Sequence, residues 1–329
     1  MRNDLRRISQ LNLIKLYAFN NKEIKNVNHM RKTLKNLNCC GNSGIDQEGI
    51  SQLNLIRLNA SHNEKIENVN HMKETLKILD CSYDCGINQE GISQLNLIEL
   101  YVSNNEKINN VNNMKETLKV LYCGWNCGID QDGILELNLI KLIANENKKI
   151  RNVNHMKNTL KILYCNLDCG IDQNGISQLN LIELYTQENE KIKNVNHMKE
   201  TLKILDCSYG CGINQGGISQ LKLIKLDANG NSEIKNVNCM KETLKILNCS
   251  CHCYSDSGID QNGISELNLI ELLAIGNEKI ENVNHMKKTL KILYCNSDCD
   301  YCDCNCRIDQ NDMSQLNYDE KKKEISFFN

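Results

Sequence analysis

The sequence predicts an α/β-type solenoid, in which short repeats stack into a parallel concave β-sheet backed by a convex side of loops and 3-10 turns. Two observations carry this prediction. The string GISQLNLIRL from Gly49 returns as GISQLNLIEL from Gly91 and as GILELNLIKL from Gly133, a period of 42 residues. Each period contains two halves of one design, LIELYVSNNEKI from Leu97 and LKVLYCGWNCGI from Leu118, which start 21 residues apart. Because one such unit cannot bury its apolar edge alone, neighbouring units must stack.

Each half predicts one short strand. Both halves fit the pattern L-x-x-L-x-φ-x-x-N-x-x-I, where φ is a small apolar residue. Side chains at positions 4 and 6 alternate along a strand with those at positions 3, 5 and 7, so the first set faces the core and the second faces away from it. Fourteen such units begin at Leu13, Leu34, Leu55, Leu76, Leu97, Leu118, Leu139, Leu160, Leu181, Leu202, Leu223, Leu244, Leu269 and Leu290.

The return path differs between odd and even units. Odd units run I-x-N-V-N-H-M-K-x-T, as from Ile66 to Thr75, with Ile, Val and Met at three-residue steps. This spacing predicts a 3-10 or loose helical turn. Even units instead run C-G-I-D/N-Q-x-G-I-S-Q, as from Cys169 to Gln178.

This fourteenfold pattern resembles the leucine-rich repeat family over nearly the whole chain. The odd units are similar to its short-repeat type. The even units are similar to the cysteine-containing type of ubiquitin-ligase adaptors, although the usual threonine-aspartate pair and an F-box-like helical segment are missing. The Asn-rich, cysteine-laddered pattern, with its 21-residue repeats in alternating pairs, also resembles repeat proteins of amoeba-infecting giant viruses. The resemblance implies one solenoid domain over 1–329, with about 14 repeats from Leu13 to about Ile308 and a degenerate C-terminal end at 309–329.

Position 9 is asparagine in every odd unit. The family's asparagine ladder implies that these side chains are buried and satisfy backbone groups of the turning chain. The asparagines are Asn21, Asn63, Asn105, Asn147, Asn189, Asn231 and Asn277.

The cysteines form two rows in the even units. Position 6 holds Cys39, Cys81, Cys123, Cys165, Cys207, Cys249 and Cys295, where odd units mostly carry alanine, and position 10 holds Cys85, Cys127, Cys169, Cys211 and Cys299. Cysteines that replace alanine are expected to behave as small buried core residues. Strands about 4.8 Å apart put cysteines two units apart at roughly 10 Å, too far for disulfides. Many unpaired thiols predict a reducing compartment, and we expect the cytoplasm, or the host cytoplasm if the protein is viral.

The remaining cysteine clusters lie in insertions of the twelfth and fourteenth units. The candidate metal ligands there are Cys251, His252, Cys253, Cys302, Cys304 and Cys306. Stacking brings the two loops to one edge, and zinc needs four such ligands. The C-x-C-x-C spacing, however, is not the paired C-x-x-C of a zinc ribbon, and loops grow at little cost near the end of an array. We therefore interpret the stretch as a grown repeat loop and predict no cofactor.

Composition and motifs argue against other functional classes. The net charge of −2 and the pI of about 6.4 predict no nucleic-acid partner. Polar residues interrupt every apolar run and the N-terminus lacks an apolar region, so we expect no membrane span, no membrane partner and no secretory signal.

No P-loop, nucleophile elbow, zinc-protease or dinucleotide motif occurs. A convex row of histidines lacks a fixed acid or nucleophile, so we predict that the protein is not an enzyme; the row is His29, His71, His155, His197 and His285.

The outward positions of the strands predict a binding face. Tyrosines gather at position 5 of the middle units, the only tryptophan lies at position 8 beside them, and position 3 of odd units is charged. The predicted partner-binding residues are Tyr101, Tyr122, Trp125, Tyr164, Tyr185, Glu99, Lys141 and Glu183. Aromatic and charged groups on a rigid surface are typical of protein interfaces, although β-propensity also favours tyrosine on exposed strands.

We predict a non-catalytic protein–protein interaction scaffold that binds an unidentified partner on its concave face. The alternatives are a substrate-recognition subunit of a ubiquitin ligase and a metal- or redox-responsive protein that uses the C-terminal cysteine loops.

Overall fold

A computed structural model describes residues 10–251, 255–295 and 307–308. The chain divides into two compact units between Leu181 and Ile182. Each unit is a leucine-rich repeat solenoid, with a parallel β-sheet on one side and short helical turns on the other, so the predicted fold class is confirmed. The extent of a single domain over 1–329, with its degenerate end at 309–329, stays a prediction. In the described part of the chain, no helix combines the length and the apolar character needed to cross a bilayer.

From residue 10 onward, the first unit forms eight three-residue strands, each paired in parallel with its neighbour along the chain. They are β1 (Lys15–Tyr17), β2 (Asn36–Asn38), β3 (Arg57–Asn59), β4 (Ile78–Asp80), β5 (Glu99–Tyr101), β6 (Val120–Tyr122), β7 (Lys141–Ile143) and β8 (Ile162–Tyr164). The register places equivalent repeat positions opposite each other, as with Leu58 and Leu79 on β3 and β4. Equivalent side chains therefore form continuous rows across the sheet.

The described residues of the second unit form six strands in the same arrangement. They are β9 (Glu183–Tyr185), β10 (Ile204–Asp206), β11 (Lys225–Asp227), β12 (Ile246–Asn248), β13 (Glu271–Leu273) and β14 (Ile292–Tyr294). Leu205 lies opposite Leu226, and Leu226 lies opposite Leu247.

Short helical turns occupy the return path, and the 3-10 turn predicted for odd units is confirmed. In odd units they span Asn28–Met30, Asn70–Met72, Asn112–Met114, Asn154–Met156, Asn196–Met198, Asn238–Met240 and Asn284–Met286. Most even units also form a 3-10 turn, at Glu90–Ile92, Asp132–Ile134, Asn174–Ile176 and Asn262–Ile264. Among the even units whose return path is described, two form a short α-helix instead, α1 (Gln47–Ile50) and α2 (Gln215–Ile218). The side chains of Asp46 and Asn214 cap these two helices by accepting from the backbone N–H of the third residue.

Apolar side chains from the strand and from the return path close the core of each repeat. The position 4 leucines Leu58 and Leu79 have no exposed surface, and neither do Ile66, Val69 and Met72 of the intervening odd-unit return path. Each such side chain contributes about 1.5–3 kcal/mol by leaving water. Because every repeat supplies the same set, neighbouring repeats share one continuous column of apolar contacts.

The asparagine ladder is confirmed as a buried row except at Asn21 of the first repeat, which is exposed because the described residues contain no repeat before it to cover its side chain. The Asn105 Nδ2 group donates to the carbonyl oxygens of Cys81 (2.7 Å) and Ile87 (3.1 Å), and its Oδ1 accepts from the Lys107 backbone N–H (3.0 Å). Asn63, Asn147, Asn231 and Asn277 make the equivalent pair of bonds to carbonyls of the preceding repeat. Each of these amides joins two repeats through backbone groups that would otherwise be buried without a partner.

Position 8 of the repeat adopts a left-handed backbone conformation that our reading of the sequence did not predict. The φ angle is +53° at Trp125, +61° at Tyr83 and +62° at Leu167. Side chains with a Cβ rarely enter this region, whereas glycine enters it freely. Three repeats do carry glycine at this position, which is the signal that predicts the conformation; they are Gly41, Gly230 and Gly276, all with positive φ.

The position 6 cysteines are buried as predicted, namely Cys39, Cys81, Cys123, Cys165, Cys207, Cys249 and Cys295. Burial raises the pKa of the Cys39 thiol to about 12 and that of Cys85, in the position 10 row, to about 11. The Cys207 thiol donates to the backbone oxygen of Asp227 on the next strand, at 3.4 Å. Such thiols stay protonated at neutral pH and are weak nucleophiles. Of the position 10 row, Cys299 lies outside the described residues, and the reducing compartment stays a prediction.

Candidate functional site

The candidate site lies on the sheet face, which we define as the outward side chains at positions 3, 5 and 7 of the strands. In the first unit, Tyr101 on β5 and Tyr122 on β6 occupy the same register position. Their rings stack with centroids 4.2 Å apart and an interplanar angle of 22°. Parallel pairing thus converts two equivalent residues of consecutive repeats into one aromatic surface.

Lys141 on β7 connects this pair to a third tyrosine. Its Nζ atom lies 5.5 Å from the ring centroid of Tyr122 and 5.2 Å from that of Tyr164 on β8. Both distances are within the range of cation–π attraction. Ile143, which stands between the two tyrosines in the row, is only 7% exposed. The Lys141 ammonium group therefore lies between two tyrosine rings, on the strand that carries the buried Ile143.

Glu99 completes this group, which we call the tyrosine patch: Glu99, Tyr101, Tyr122, Lys141 and Tyr164. The Tyr101 hydroxyl donates to Glu99 Oε2 at 3.2 Å. Burial of the ring, the adjacent Tyr122 and the Glu99 carboxylate raise the pKa of Tyr101 above its usual range. The phenol therefore stays a neutral donor at physiological pH, and its orientation is fixed by a charged acceptor.

The patch differs from its predicted form in exposure. We expected position 5 side chains to point away from the core and to lie exposed. Tyr101, Tyr122 and Tyr164 are instead partly buried. The physical reason is that equivalent side chains 4.8 Å apart cover one another, and that the Lys141 side chain lies between two of the rings. The patch is consequently more rigid and offers less area than isolated strand tyrosines would.

Three predicted partner-binding residues lie outside this group. Trp125 follows Tyr122 by three residues, is 40% exposed, and donates its backbone N–H to the Asn145 oxygen at 2.7 Å. Its left-handed φ sets the direction of the indole. Tyr185 and Glu183 belong to β9 in the second unit, where the Tyr185 hydroxyl donates to Glu183 Oε2 at 3.0 Å. That pair repeats the Tyr101–Glu99 arrangement.

The second unit contains a pair of carboxylates that we did not single out from the sequence. Asp206 on β10 and Asp227 on β11 lie opposite each other at position 5. Burial, together with the neighbouring Asp206 carboxylate, raises the pKa of Asp227 to about 6, and burial raises that of Asp206 as well. Ser208 Oγ donates to Asp206 (2.7 Å), and Asn248 Nδ2 donates to Asp227 (2.9 Å). The signal in the sequence was two aspartates at position 5 of consecutive repeats.

This pair predicts a pH dependence of stability. The folded-state pKa of Asp227, about 6, is above its unfolded value of 3.8, so the folded state holds a proton that the unfolded state releases. Protonation of Asp227 therefore stabilises the folded state fully below the unfolded pKa. This contribution to the unfolding free energy is lost as the pH rises from about 4 to about 6. We expect Asp227→Asn to raise the unfolding free energy at neutral pH by on the order of 2 kcal/mol, and the gain to vanish near pH 4. Urea denaturation across this range measures it.

Two features make this measurement specific. Asn38 and Asn59 occupy the same paired positions on β2 and β3, so the fold accommodates asparagine there. The exposed Asp84 offers a matched control, and Asp84→Asn should leave the pH profile unchanged. A gain from Asp227→Asn that is the same near pH 4 as at neutral pH would contradict the shared titration.

The convex histidines have a structural contact. The Nε2 atoms of His71, His155 and His285 each lie 3.1 Å from a backbone oxygen of the preceding repeat. Desolvation lowers the pKa of His71 and of His155, which favours a neutral ring that donates to that oxygen. At the equivalent position, the Asn113 side chain also donates to a carbonyl of the preceding repeat, at 3.1 Å. The row therefore joins repeats, as the asparagine ladder does.

The candidate metal ligands are only partly within the described residues. Cys251 donates its thiol to Asp256 Oδ1 at 3.4 Å, and burial raises the pKa of this thiol to about 11. In 10–251, 255–295 and 307–308, no group of three or more His, Cys, Asp or Glu side chains is arranged to hold a metal. The other candidates lie outside the described residues, so the metal hypothesis stays untested; they are His252, Cys253, Cys302, Cys304 and Cys306.

Comparison with known proteins gives limited likeness. No family model and no curated protein matches the chain. Among solved structures, the Rad7 and Elc1 complex in yeast is similar at 15% identity and a TM-score of 0.44, covering 80% of this chain and 82% of that one. The functional domain of InlJ from Listeria monocytogenes, which includes a cysteine ladder, is similar at 19% identity and a TM-score of 0.40, with coverages of 88% and 55%. The TLR13–ssRNA13 complex is similar at 16% identity and a TM-score of 0.44, with coverages of 88% and 52%. The chain thus spans about half the length of the last two.

Proposed function

We propose that the chain is a non-catalytic protein-interaction scaffold, and that its first unit binds a partner protein through the tyrosine patch. The observation that carries this proposal is the Lys141 ammonium held within 5.5 Å of two tyrosine rings, one of them stacked on a third. These groups are ordered before any partner arrives, so little side-chain entropy is lost on binding.

The chemistry of the patch fits a protein partner. Tyrosine is enriched among the residues that dominate interface energies, because it combines a large apolar ring with a polar tip. The patch presents three such rings and both signs of charge on adjacent strands, with Trp125 three residues beyond its central tyrosine. The partner surface that fits it is apolar at its centre and carries hydrogen-bonding or charged groups at its rim.

Truncation of the central ring should weaken binding. Tyr122 touches both the stacked neighbour and the Lys141 side chain, so Tyr122→Ala removes the middle of the patch. We expect a loss of affinity on the order of 2 kcal/mol, about thirtyfold, with little change in unfolding free energy. The partner is first isolated by affinity purification from the native cell and identified by mass spectrometry, and it is then titrated against the purified variants.

Tyr17 provides the matched control. It occupies the same position 5 on β1 and is 71% exposed, but four strands, β2 to β5, separate it from Tyr122. Tyr17→Ala makes the same truncation on the same sheet face and should leave the affinity unchanged. His155 is unsuitable as a convex control, because it is bonded to the Ile134 oxygen. The proposal is wrong if Tyr17→Ala weakens binding as much as Tyr122→Ala does.

A further inference from the structure

A row of exposed isoleucines runs along one edge of the first unit. They lie at position 2 of the odd repeats, one residue before each strand, and are Ile14, Ile56, Ile98 and Ile140, exposed by 64, 45, 43 and 47%. In the even repeats the same position holds Lys35, Lys77, Lys119 and Lys161. Strands about 4.8 Å apart place consecutive members of this alternating row at that spacing, so the isoleucines stand about 10 Å apart. Because these apolar side chains recur at a fixed spacing along one edge, the row is a candidate interaction surface.

The second unit carries the same exposed position independently. Its members are Ile182, Ile224 and Ile270, exposed by 43, 47 and 41%. The pattern therefore belongs to the repeat itself and is present in every odd unit.

The chain that surrounds this row is basic. We define the entry edge of the first unit as the segments that lead into its strands: 10–14, 31–35, 51–56, 73–77, 93–98, 115–119, 135–140 and 157–161. These segments contain nine basic and three acidic residues, in a protein whose net charge is −2. One of the acids, Glu136, is paired with Lys115 at 2.6 Å. A further apolar side chain, Leu135, is 50% exposed on the same edge.

An acidic groove lies on the opposite edge, where the chain leaves β3, β4 and β5. It has a volume of ≈ 640 Å³ and is lined by Glu64, Asp84 and Glu106 among others. The basic residue in its lining, Lys107, donates its Nζ to the Cys85 backbone oxygen at 3.0 Å. The exposed isoleucines therefore lie on the basic edge, and the acidic groove lies on the opposite one.

The amino-acid composition of the entry edge indicates which class of partner it can bind. Protein interfaces are enriched in aromatic residues and arginine and depleted in lysine, whereas the entry edge holds no aromatic residue, one arginine and eight lysines. A nucleic acid would engage the lysines but leave the isoleucines in water. Branched aliphatic side chains interleaved with lysines match an anionic lipid surface, because the lysine stems lie along the apolar layer while the ammonium groups reach the headgroups.

We propose that the entry edge of the first unit docks onto the surface of an anionic phospholipid bilayer. The exposed isoleucines enter the boundary between headgroups and acyl chains, and the lysines between them contact the acidic headgroups. We expected no membrane partner because polar residues interrupt every apolar run, but docking on the surface needs no spanning run, and the proposal therefore revises that expectation. This surface is separate from the tyrosine patch, so the two proposals stand or fall independently.

The test is co-sedimentation of the full chain with vesicles of phosphatidylcholine, with and without about a third phosphatidylserine. We expect binding only to the anionic vesicles. The triple variant Lys77→Gln, Lys119→Gln, Lys161→Gln should lower the partition coefficient by roughly a hundredfold. A second triple variant, Ile56→Ser, Ile98→Ser, Ile140→Ser, should lower it by at least about tenfold on the same vesicles. Because these isoleucines are exposed, the fold should survive, and the single variant Ile98→Ser gives a smaller loss if the triple variant does not fold.

A charge-matched control removes three basic residues from the other edge. The variant Lys22→Gln, Lys25→Gln, Arg151→Gln changes the net charge by the same amount at exposed positions and should bind vesicles as the unaltered chain does. The proposal is overturned if this control loses as much binding as the entry-edge lysine variant, or if the isoleucine variants bind like the unaltered chain. A chain that ignores anionic vesicles but binds a soluble glutamate- and leucine-rich helical peptide would instead assign the edge to an acidic protein segment.

Discussion

Gly217→Ala is expected to destabilise the protein severely, whereas the same change one residue earlier, Gly216→Ala, should stabilise it. A Cβ atom built on Gly217 overlaps the backbone oxygen of Lys193 in the preceding repeat. At Gly216 the nearest atom to such a Cβ is the Asn214 side-chain oxygen at 3.4 Å, and the backbone is helical there. We expect Gly217→Ala to cost about 3 kcal/mol or more, and Gly216→Ala to gain up to about 1 kcal/mol.

The cost at Gly217 follows from contact between two backbones, which no side chain can relieve. The Gly217 oxygen accepts from the Val195 N–H at 3.0 Å, so the two turns are already held at hydrogen-bond distance. A methyl group forces them apart and breaks this bond. The same close approach recurs at Gly49, Gly91, Gly133, Gly175 and Gly263. Urea denaturation of the two variants measures the difference, and similar midpoints for both would refute the argument.

The repeat itself made most of the fold predictable. A three-residue segment such as Lys141–Ile143 is too short to be predicted as a strand by itself. The same spacing occurs fourteen times, and stacked repeats must share one conformation, so the strand could be predicted for all of them together. The buried amide of Asn105 was predictable for the same reason. The left-handed backbone at Trp125 was harder, because tyrosine, tryptophan and leucine occupy that position in other repeats and conceal the glycines that reveal it.

The candidate site was less predictable, because its properties arise between repeats. The position 5 tyrosines were visible in the sequence, yet their mutual coverage depends on the 4.2 Å stacking of Tyr101 and Tyr122 across two strands. The shifted pKa of Asp227 likewise arises from burial together with an identical residue on the next strand. The sequence of one repeat places its position 5 side chain in solvent. Pairing of consecutive strands brings the position 5 side chains of two repeats into contact.

Asn105→Ala should lower the unfolding free energy by up to about 3 kcal/mol, because it removes two donors from buried carbonyls at once. The Cys81 and Ile87 oxygens both lose their bond from Nδ2, and the Lys107 backbone N–H loses its acceptor. The exposed Asn126 provides the control, and Asn126→Ala should cost within about 0.5 kcal/mol. Chemical denaturation of both variants measures the difference.

A second substitution separates the lost hydrogen bonds from the cavity that alanine leaves. Asn105→Asp keeps the side-chain volume and the acceptor for the Lys107 N–H, but it places a carboxylate oxygen against the Cys81 and Ile87 carbonyls. If donation to these carbonyls is what stabilises the repeat, the aspartate variant should be at least as unstable as the alanine variant at neutral pH, since its second carboxylate oxygen is buried against two carbonyl oxygens that cannot donate to it. An aspartate variant as stable as the unaltered chain would mean that packing, and not the amide donors, joins the repeats at this position.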